Sequence, residues 1–241
     1  MCFTIEIHLS RKAIEERFSA NTSALYDFDF NYFYRAFSNP PIPVIDQQEP
    51  DQVKLSQWGL IPSWVSDRQK AEKIRKGTYN ARIETLAEKP SFREPLRRGR
   101  CLVIAHGFFE WQLVNGVRVP WYIRLKSDAP FVFAGLCDQW KDSESDQLLH
   151  TCTIITTVAN PLLAKIHNTR KRMPVILPPE DEQQWIARDV PPADALQMLL
   201  PLDQNKLQAH TVSPMIAAPD ARPDDPDLIS PYTYSIPDSL F

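Results

Sequence analysis

Cys2, one residue behind the initiator methionine, is the side chain around which chemistry could be built. Methionine aminopeptidases remove Met when the next side chain is small, and cysteine is small enough. The shortened chain would carry a free α-amine and a thiol on one residue. The amine, with a pKa of ~7.7–8.0, is partly neutral near physiological pH. The thiol, near ~8.5, is a few per cent thiolate unless its surroundings lower that value. Such a 1,2-aminothiol condenses with an aldehyde to an imine and then closes a five-membered thiazolidine. It can equally act as an N-terminal nucleophile on an acyl group.

Three polar residues could assist it. Glu110 stands in Gly-Phe-Phe-Glu-Trp (107–111), where aromatic bulk on either side would desolvate it, raise its pKa and suit it to proton shuttling. His167 follows the apolar Leu-Leu-Ala-Lys-Ile and precedes a polar, basic run, so a helix end or loop there could present its imidazole. Asn80, in Tyr-Asn-Ala-Arg-Ile-Glu-Thr (79–85), could orient a substrate or the terminal amine by hydrogen bonds. Taken singly, each also fits an ordinary role: a solvent-facing Glu, a packed His, a turn Asn.

These residues need a scaffold. Phe-Thr-Ile-Glu-Ile-His-Leu (3–9) alternates apolar and polar side chains and predicts a strand that would fix Cys2 at a terminus where most chains fray. Ser10 is placed to cap a helix over 11–18, with Ile14 and Phe18 on one face. Residues 26–37 are aromatic-rich and read as core or sheet edge in preference to a base-stacking platform. Further strands are predicted after the Pro-rich turn at 39–45 and over 53–61, 101–111, 118–125, 130–140, 149–157 and 207–216, with a turn at 114–116. Helical stretches are expected within 66–77, 91–100, 179–187 and 192–200. Strands with a few interspersed helices and no βαβ rhythm indicate an α+β fold. The chain divides into one domain over 1–217 and a Pro- and Asp-rich extended tail over 218–241.

Composition narrows the function. No apolar run approaches the ~20 residues of a membrane span, and the first ten residues lack a signal-peptide core, so a soluble cytoplasmic protein without membrane partners is expected. No metal-ligand spacing, Gly-rich phosphate loop or G-x-S-x-G elbow is present, so no metal or cofactor is expected. Cys101, Cys137 and Cys152 lie in or beside apolar runs and read as buried free thiols. The net charge is −3 overall and −4 for residues 218–241, which leaves the body at +1. Within that body 68–76, 93–100 and 165–172 are basic; each alone fits a solvated face, and together they suggest a local basic groove.

Taken in order, Met1-Cys2, Trp-Gly-Leu-Ile-Pro-Ser-Trp (58–64), the 79–85 and 107–111 segments and Arg-Met-Pro-Val-Ile-Leu (172–177) resemble the SRAP (SOS response-associated peptidase) family over residues 1 to about 216. The resemblance implies a compact α+β fold with β-barrel-like antiparallel sheets flanked by short helices. It also implies covalent shielding of abasic sites in single-stranded DNA, in the DNA damage response, by a protein expected to be monomeric. By this likeness Cys2 is the nucleophile that captures the ring-opened sugar, Asn80 positions it, Glu110 transfers protons, and His167 helps open the sugar. Trp64, Arg82, Thr156 and Arg172 match DNA-contacting or site-lining positions, and Asn39 and Pro40 stand for the family's Asn-x-Ala-Pro segment. The sequence departs from the family where Phe3-Thr4 replace the usual Gly-Arg, where Val65 replaces a second Trp, and where extra residues separate His167 from Arg172. A weak lyase side reaction is expected beside capture, because an imine acidifies the neighbouring sugar carbon. Two alternatives stand beside capture: an N-terminal-nucleophile cysteine peptidase or amidohydrolase, and a non-covalent single-strand binder in which Cys2 is idle.

Overall fold

The computed structural model describes residues 2–235, whose strands form two sheets. The first is antiparallel, ordered β13-β8-β7-β1-β2, from β1 (Thr4–Glu6), β2 (Tyr34–Arg35), β7 (Gly107–Val114), β8 (Val117–Leu125) and β13 (Leu207–Thr211). In the second, β3 (Pro41–Asp46), β4 (Glu49–Trp58), β6 (Arg100–Ala105), β9 (Phe131–Lys141) and β10 (Leu148–Val158) close into a barrel, because β10 bonds both β4 and β9. Short strands β5 (Asn80–Arg82) and β11 (Arg172–Pro174) add to β10, and β12 (Ile176–Leu177) adds to β9. The fold is α+β with barrel-like sheets. It is not wholly antiparallel, since β10 runs parallel to both β4 and β5.

Local chemistry sets several of these elements. Asn115 and Gly116 both take positive φ, the backbone that a tight β7–β8 hairpin requires. In β6 both faces are buried: Cys101, Val103 and Ala105 face the core shared by the two sheets, while Leu102 and Ile104 face the helices. That explains a near-continuous apolar run in place of alternation. Gly135 sits where β9 pairs with Cys101 of β6 and Ile154 of β10 at once. A Cβ there would lie 2.9 Å from the Thr153 carbonyl oxygen and 2.8 Å from Val103, so closure of the barrel needs glycine.

Helices α1 (Arg11–Phe18), α3 (Pro90–Arg98), α5 (Pro179–Ile186) and α6 (Pro192–Gln197) pack on the outer barrel face through Ile14, Phe18, Phe92, Leu96, Trp185, Ile186 and Ala195; α2 (Arg68–Arg75) clusters through Ala71 with Ile61, Val65 and Trp140, and α4 (Pro161–Ile166) packs against β7 and β11. Ser10 caps α1 as expected, its hydroxyl accepting from the Ala13 N–H at 3.1 Å. Three residues of the basic clusters, Arg75, Arg100 and Arg172, are buried and not on solvated faces. Arg100, fully buried, donates to the carbonyls of Leu96 (3.0 Å), Val190 (3.0 Å), Trp185 and Ala187, satisfying the ends of α3 and α5 with one guanidinium.

Other boundaries shift for identifiable reasons. The last strand stops at Thr211 because Pro214 opens a 3₁₀ turn, Pro214–Ala217. Residues 218–235 lie back against the antiparallel sheet: Leu228 is buried beside Phe33, Phe109, Tyr122, Val212 and Ile216, and the Tyr232 N–H donates to the Thr211 carbonyl at 2.8 Å. The end of the expected tail, 236–241, lies outside the described residues, as does Met1.

Candidate active site

The site is built where the two sheets meet. The antiparallel sheet supplies the chain end and a carboxylate. Register pairs Thr4 with Phe109, Ile5 with Phe108 and Glu6 with Gly107, which draws the start of the chain alongside Glu110. The barrel sheet supplies Asn80 at the start of β5, whose Nδ2 donates to the Cys2 carbonyl at 2.8 Å. Asn80 Oδ1 is buried and meets no hydrogen-bond donor among the described residues. The Cys2 thiol, fully buried, points at the Thr4 carbonyl 3.8 Å away.

Glu110 shares the inter-sheet face of β7 with Phe108, while Phe109 and Trp111 point the other way into the cluster under the C-terminal segment. It is 3 % exposed, which rules out the solvent-facing reading. His167 terminates α4, a single helical unit capped at its start by Asn160, which accepts from the Leu163 N–H at 2.9 Å. Its Nδ1 is 2.8 Å from the Arg172 carbonyl oxygen and 3.9 Å from Glu110 Oε1. A carbonyl only accepts, so Nδ1 carries the proton, and Nε2 is the basic nitrogen of the neutral ring.

Burial dominates the electrostatics. It pushes the Glu110 carboxyl above its ordinary value, against the pull of the neighbouring His167. The Cys2 thiol is pushed up strongly, first by burial and then by Glu110 itself. Burial thus favours the Cys2 thiol over a preformed thiolate, beside a carboxyl group of raised pKa.

The remaining expected residues divide between interior and surface. Arg172 is buried and spends its guanidinium on protein: a bidentate pair with Glu84, with Nη2–Oε2 at 3.0 Å, and bonds to the Thr156 carbonyl (2.6 Å) and hydroxyl (3.2 Å). Thr156 is fully buried and also donates to the Ala81 carbonyl at 3.4 Å. These two brace β10, β11 and the turn after β5; neither presents a free surface to a phosphate. Arg82 is exposed at the end of β5. Trp64 is 48 % exposed on the loop after β4, with Lys70 Nζ 5.4 Å from its ring centre. Asn39 takes a left-handed conformation that turns the chain into Pro40, whose carbonyl accepts from the Trp58 N–H at 2.9 Å. Sequence reading missed Glu84, although it lies inside the 79–85 segment, two residues from Arg82; its partner Arg172 is 88 residues away, so no local pattern signals the pair. The same reading placed Phe37, at the end of the aromatic 26–37 stretch, in the core or at a sheet edge, whereas the side chain is exposed.

Among the described residues no helix is long and apolar enough to cross a membrane, and no group of three His, Cys, Asp or Glu side chains is placed to hold a metal. A barrel flanked by a second sheet, with a buried cysteine at the chain start held by an asparagine and faced by a Glu–His pair, defines a narrow class of protein. Residues 1–219 match the family described as SOS response associated peptidase (SRAP), and the chain belongs to that family. It is 41 % identical over 190 residues to the abasic site processing protein YoqW of Bacillus subtilis, covering 78 % of this chain and 80 % of that one. Identity to the abasic site processing protein HMCES of Gallus gallus is 29 % over 201 residues, covering 75 % of this chain and 57 % of the relative. A crystal structure of a protein from Bacteroides thetaiotaomicron superposes with a TM-score of 0.91 at 34 % identity, over 96 % of this chain and all of that one.

Proposed function

We propose that this protein captures abasic sites in single-stranded DNA by forming a covalent link through Cys2, after removal of Met1. The observation that carries this reading is the approach of Asn80 from the barrel sheet and Glu110 from the antiparallel sheet to Cys2, with His167 at the end of α4 beside Glu110. The names of its relatives, abasic site processing proteins, support the substrate.

The chemistry follows from the residues. The neutral Cys2 amine, oriented by Asn80 through the adjacent carbonyl and the unsatisfied Oδ1, adds to C1′ of the ring-opened sugar. The carbinolamine loses water to give an imine as Glu110, ordinarily too acidic but raised here by burial, donates the proton. Sγ then adds to the imine carbon, the thiol proton passes to the Glu110 carboxylate, and the ring nitrogen regains one; the thiazolidine retains every atom except one water. His167 Nε2 serves the sugar oxygen, while Nδ1 is tied to the Arg172 carbonyl. In this reading Arg172 and Thr156 position β11 and His167, and Arg82, Trp64, Asn39 and Pro40 meet the strand. We assign the captured-DNA unit to residues 1–217 with 218–241 as an appended segment, working as a cytoplasmic monomer. A slow lyase reaction from the imine accompanies capture.

Intact mass spectrometry tests the reading. A Met-less chain incubated with a single-stranded oligonucleotide bearing one abasic site gains the oligonucleotide's mass minus water; Cys2→Ala, an undamaged oligonucleotide and a Met-retaining chain each give no adduct. Absence of an adduct from a chain shown to begin at Cys2 rejects capture and leaves the amide hydrolase.

A further inference from the structure

Phe37 is 67 % exposed, an unusual position for a phenylalanine that is otherwise rigidly backed. Its ring stacks on Phe3 with centroids 5.0 Å apart and planes 28° from parallel. Tyr79, 5 % exposed, meets both rings edge-on, at 5.5 Å from Phe37 and 6.3 Å from Phe3. The Ala36 N–H donates to the Phe3 carbonyl at 2.9 Å, so the platform is pinned to the backbone that carries the nucleophile. All three rings adjoin functional positions in sequence: Phe3 follows Cys2, Tyr79 precedes Asn80, and Phe37 precedes Ser38-Asn39-Pro40.

With one face on Phe3 and its edge toward Tyr79, Phe37 offers its other face outward. A cleft of about 540 Å³ opens there, bounded by Arg35, Phe37, Pro40 and, from the C-terminal segment, Pro223. Arg35 donates to the carbonyls of Ile216 (2.8 Å) and Ala218 (2.9 Å), and no carboxylate pairs with it among the described residues, so its charge stays available to a phosphate. A flat aromatic face beside a cation, next to the residue that grips the lesion, fits a π-faced anion carried on the same strand.

We propose that Phe37, backed by Phe3 and Tyr79, is a stacking site for the unpaired nucleobase that neighbours the captured lesion. This rests on the capture reading above and adds to it a contact with an intact nucleotide. Stacking on an aromatic side chain accepts any base, so the contact strengthens binding without imposing sequence, and it favours single-stranded DNA because within a duplex both faces of a base are stacked on the adjacent pairs.

The test uses the mature protein and single-stranded oligonucleotides with one abasic site, whose immediate neighbours carry either bases or baseless tetrahydrofuran spacers, placed on the 5′ side, the 3′ side or both. Crosslinking rate at limiting protein is the first readout, and quenching of a flanking 2-aminopurine is the second. Phe37→Ala is expected to slow capture about tenfold when the stacking neighbour has its base, to leave the spacer oligonucleotide unaffected, and to abolish the quench. Phe37→Trp is expected to restore both. An equal loss on base-bearing and spacer oligonucleotides, or no loss on either, overturns the proposal, as does an occupant other than DNA, shown by concentration-dependent dimerisation that Phe37→Ala removes. Failure of the wild-type chain to crosslink any of them rejects capture itself; crosslinking that is indifferent to the neighbouring base rejects only the stacking site.

Discussion

Glu110 is held in a state that folding alone would not choose. Burial keeps its carboxyl pKa above the ordinary value of 4.5, so folding favours the protonated form relative to the unfolded chain. Its contribution to stability is therefore present below the unfolded pKa and is lost as pH rises through the folded one. At neutral pH the ionised group costs stability, and a neutral isostere removes that cost. Glu110→Gln is expected to melt higher than wild type at pH 7.5, by ~2–4 °C for each kcal/mol relieved, with the difference fading toward pH 4. Capture should meanwhile slow by about a hundredfold or more, the scale of a lost general acid–base. Paired thermal melts and crosslinking rates decide it: a Gln variant that matches wild type at both pH values would mean the carboxyl is solvated in solution. Local setting singled out the residues proposed as catalytic, Glu110 among aromatics and His167 after an apolar helix, but each alone fitted an ordinary role, and only the SRAP resemblance joined them to Cys2. The partner of Arg172 was not, because pairing Glu84 with a side chain on β11 is a matter of tertiary register that neither segment encodes alone.

Among the elements, short-range chemistry was readable and long-range pairing was not. The Ser10 cap and the Asn115-Gly116 hairpin are written in two to four adjacent residues, and both form. The parallel pairing of β10 with β4 and β5 joins segments far apart in sequence, and alternation of side chains says nothing about strand direction. Arg100 shows the same limit: it ends a basic run that looks like surface, yet its guanidinium closes the ends of α3 and α5. Removing it would leave buried carbonyls at both helix ends unpaired. Arg100→Met is expected to lower stability by about 3 kcal/mol or more in urea denaturation, while the exposed neighbour Arg97→Met changes it by less than ~0.5 kcal/mol. Similar midpoints for the two variants would show that water replaces the lost donors.

For the whole molecule, residues 218–235 are part of the packing around the site's own sheet. Leu228 covers Phe109, whose neighbour in β7 is Glu110, and burial of one such leucine stabilises by ~1.5–3 kcal/mol. A chain ending at residue 217 is expected to fold with a reduced melting temperature, ~2–4 °C lower per kcal/mol, and to capture more slowly because β7 loses its backing. Full-length behaviour from that fragment, by differential scanning calorimetry and crosslinking rate, would assign the segment a different role.

The position of β1, between β2 and β7, also sets a clock on maturation. Thr4 finds its partner at Phe109, about a hundred residues later in synthesis. At ~5–20 residues per second the beginning of the chain waits on the order of 5–20 s before its sheet can assemble. During that interval the start of the chain has no sheet partner and is open to an aminopeptidase; afterwards Cys2 is buried where the two sheets meet. Processing and folding are thus in a race, and reactivity is inherited from the order in which they finish.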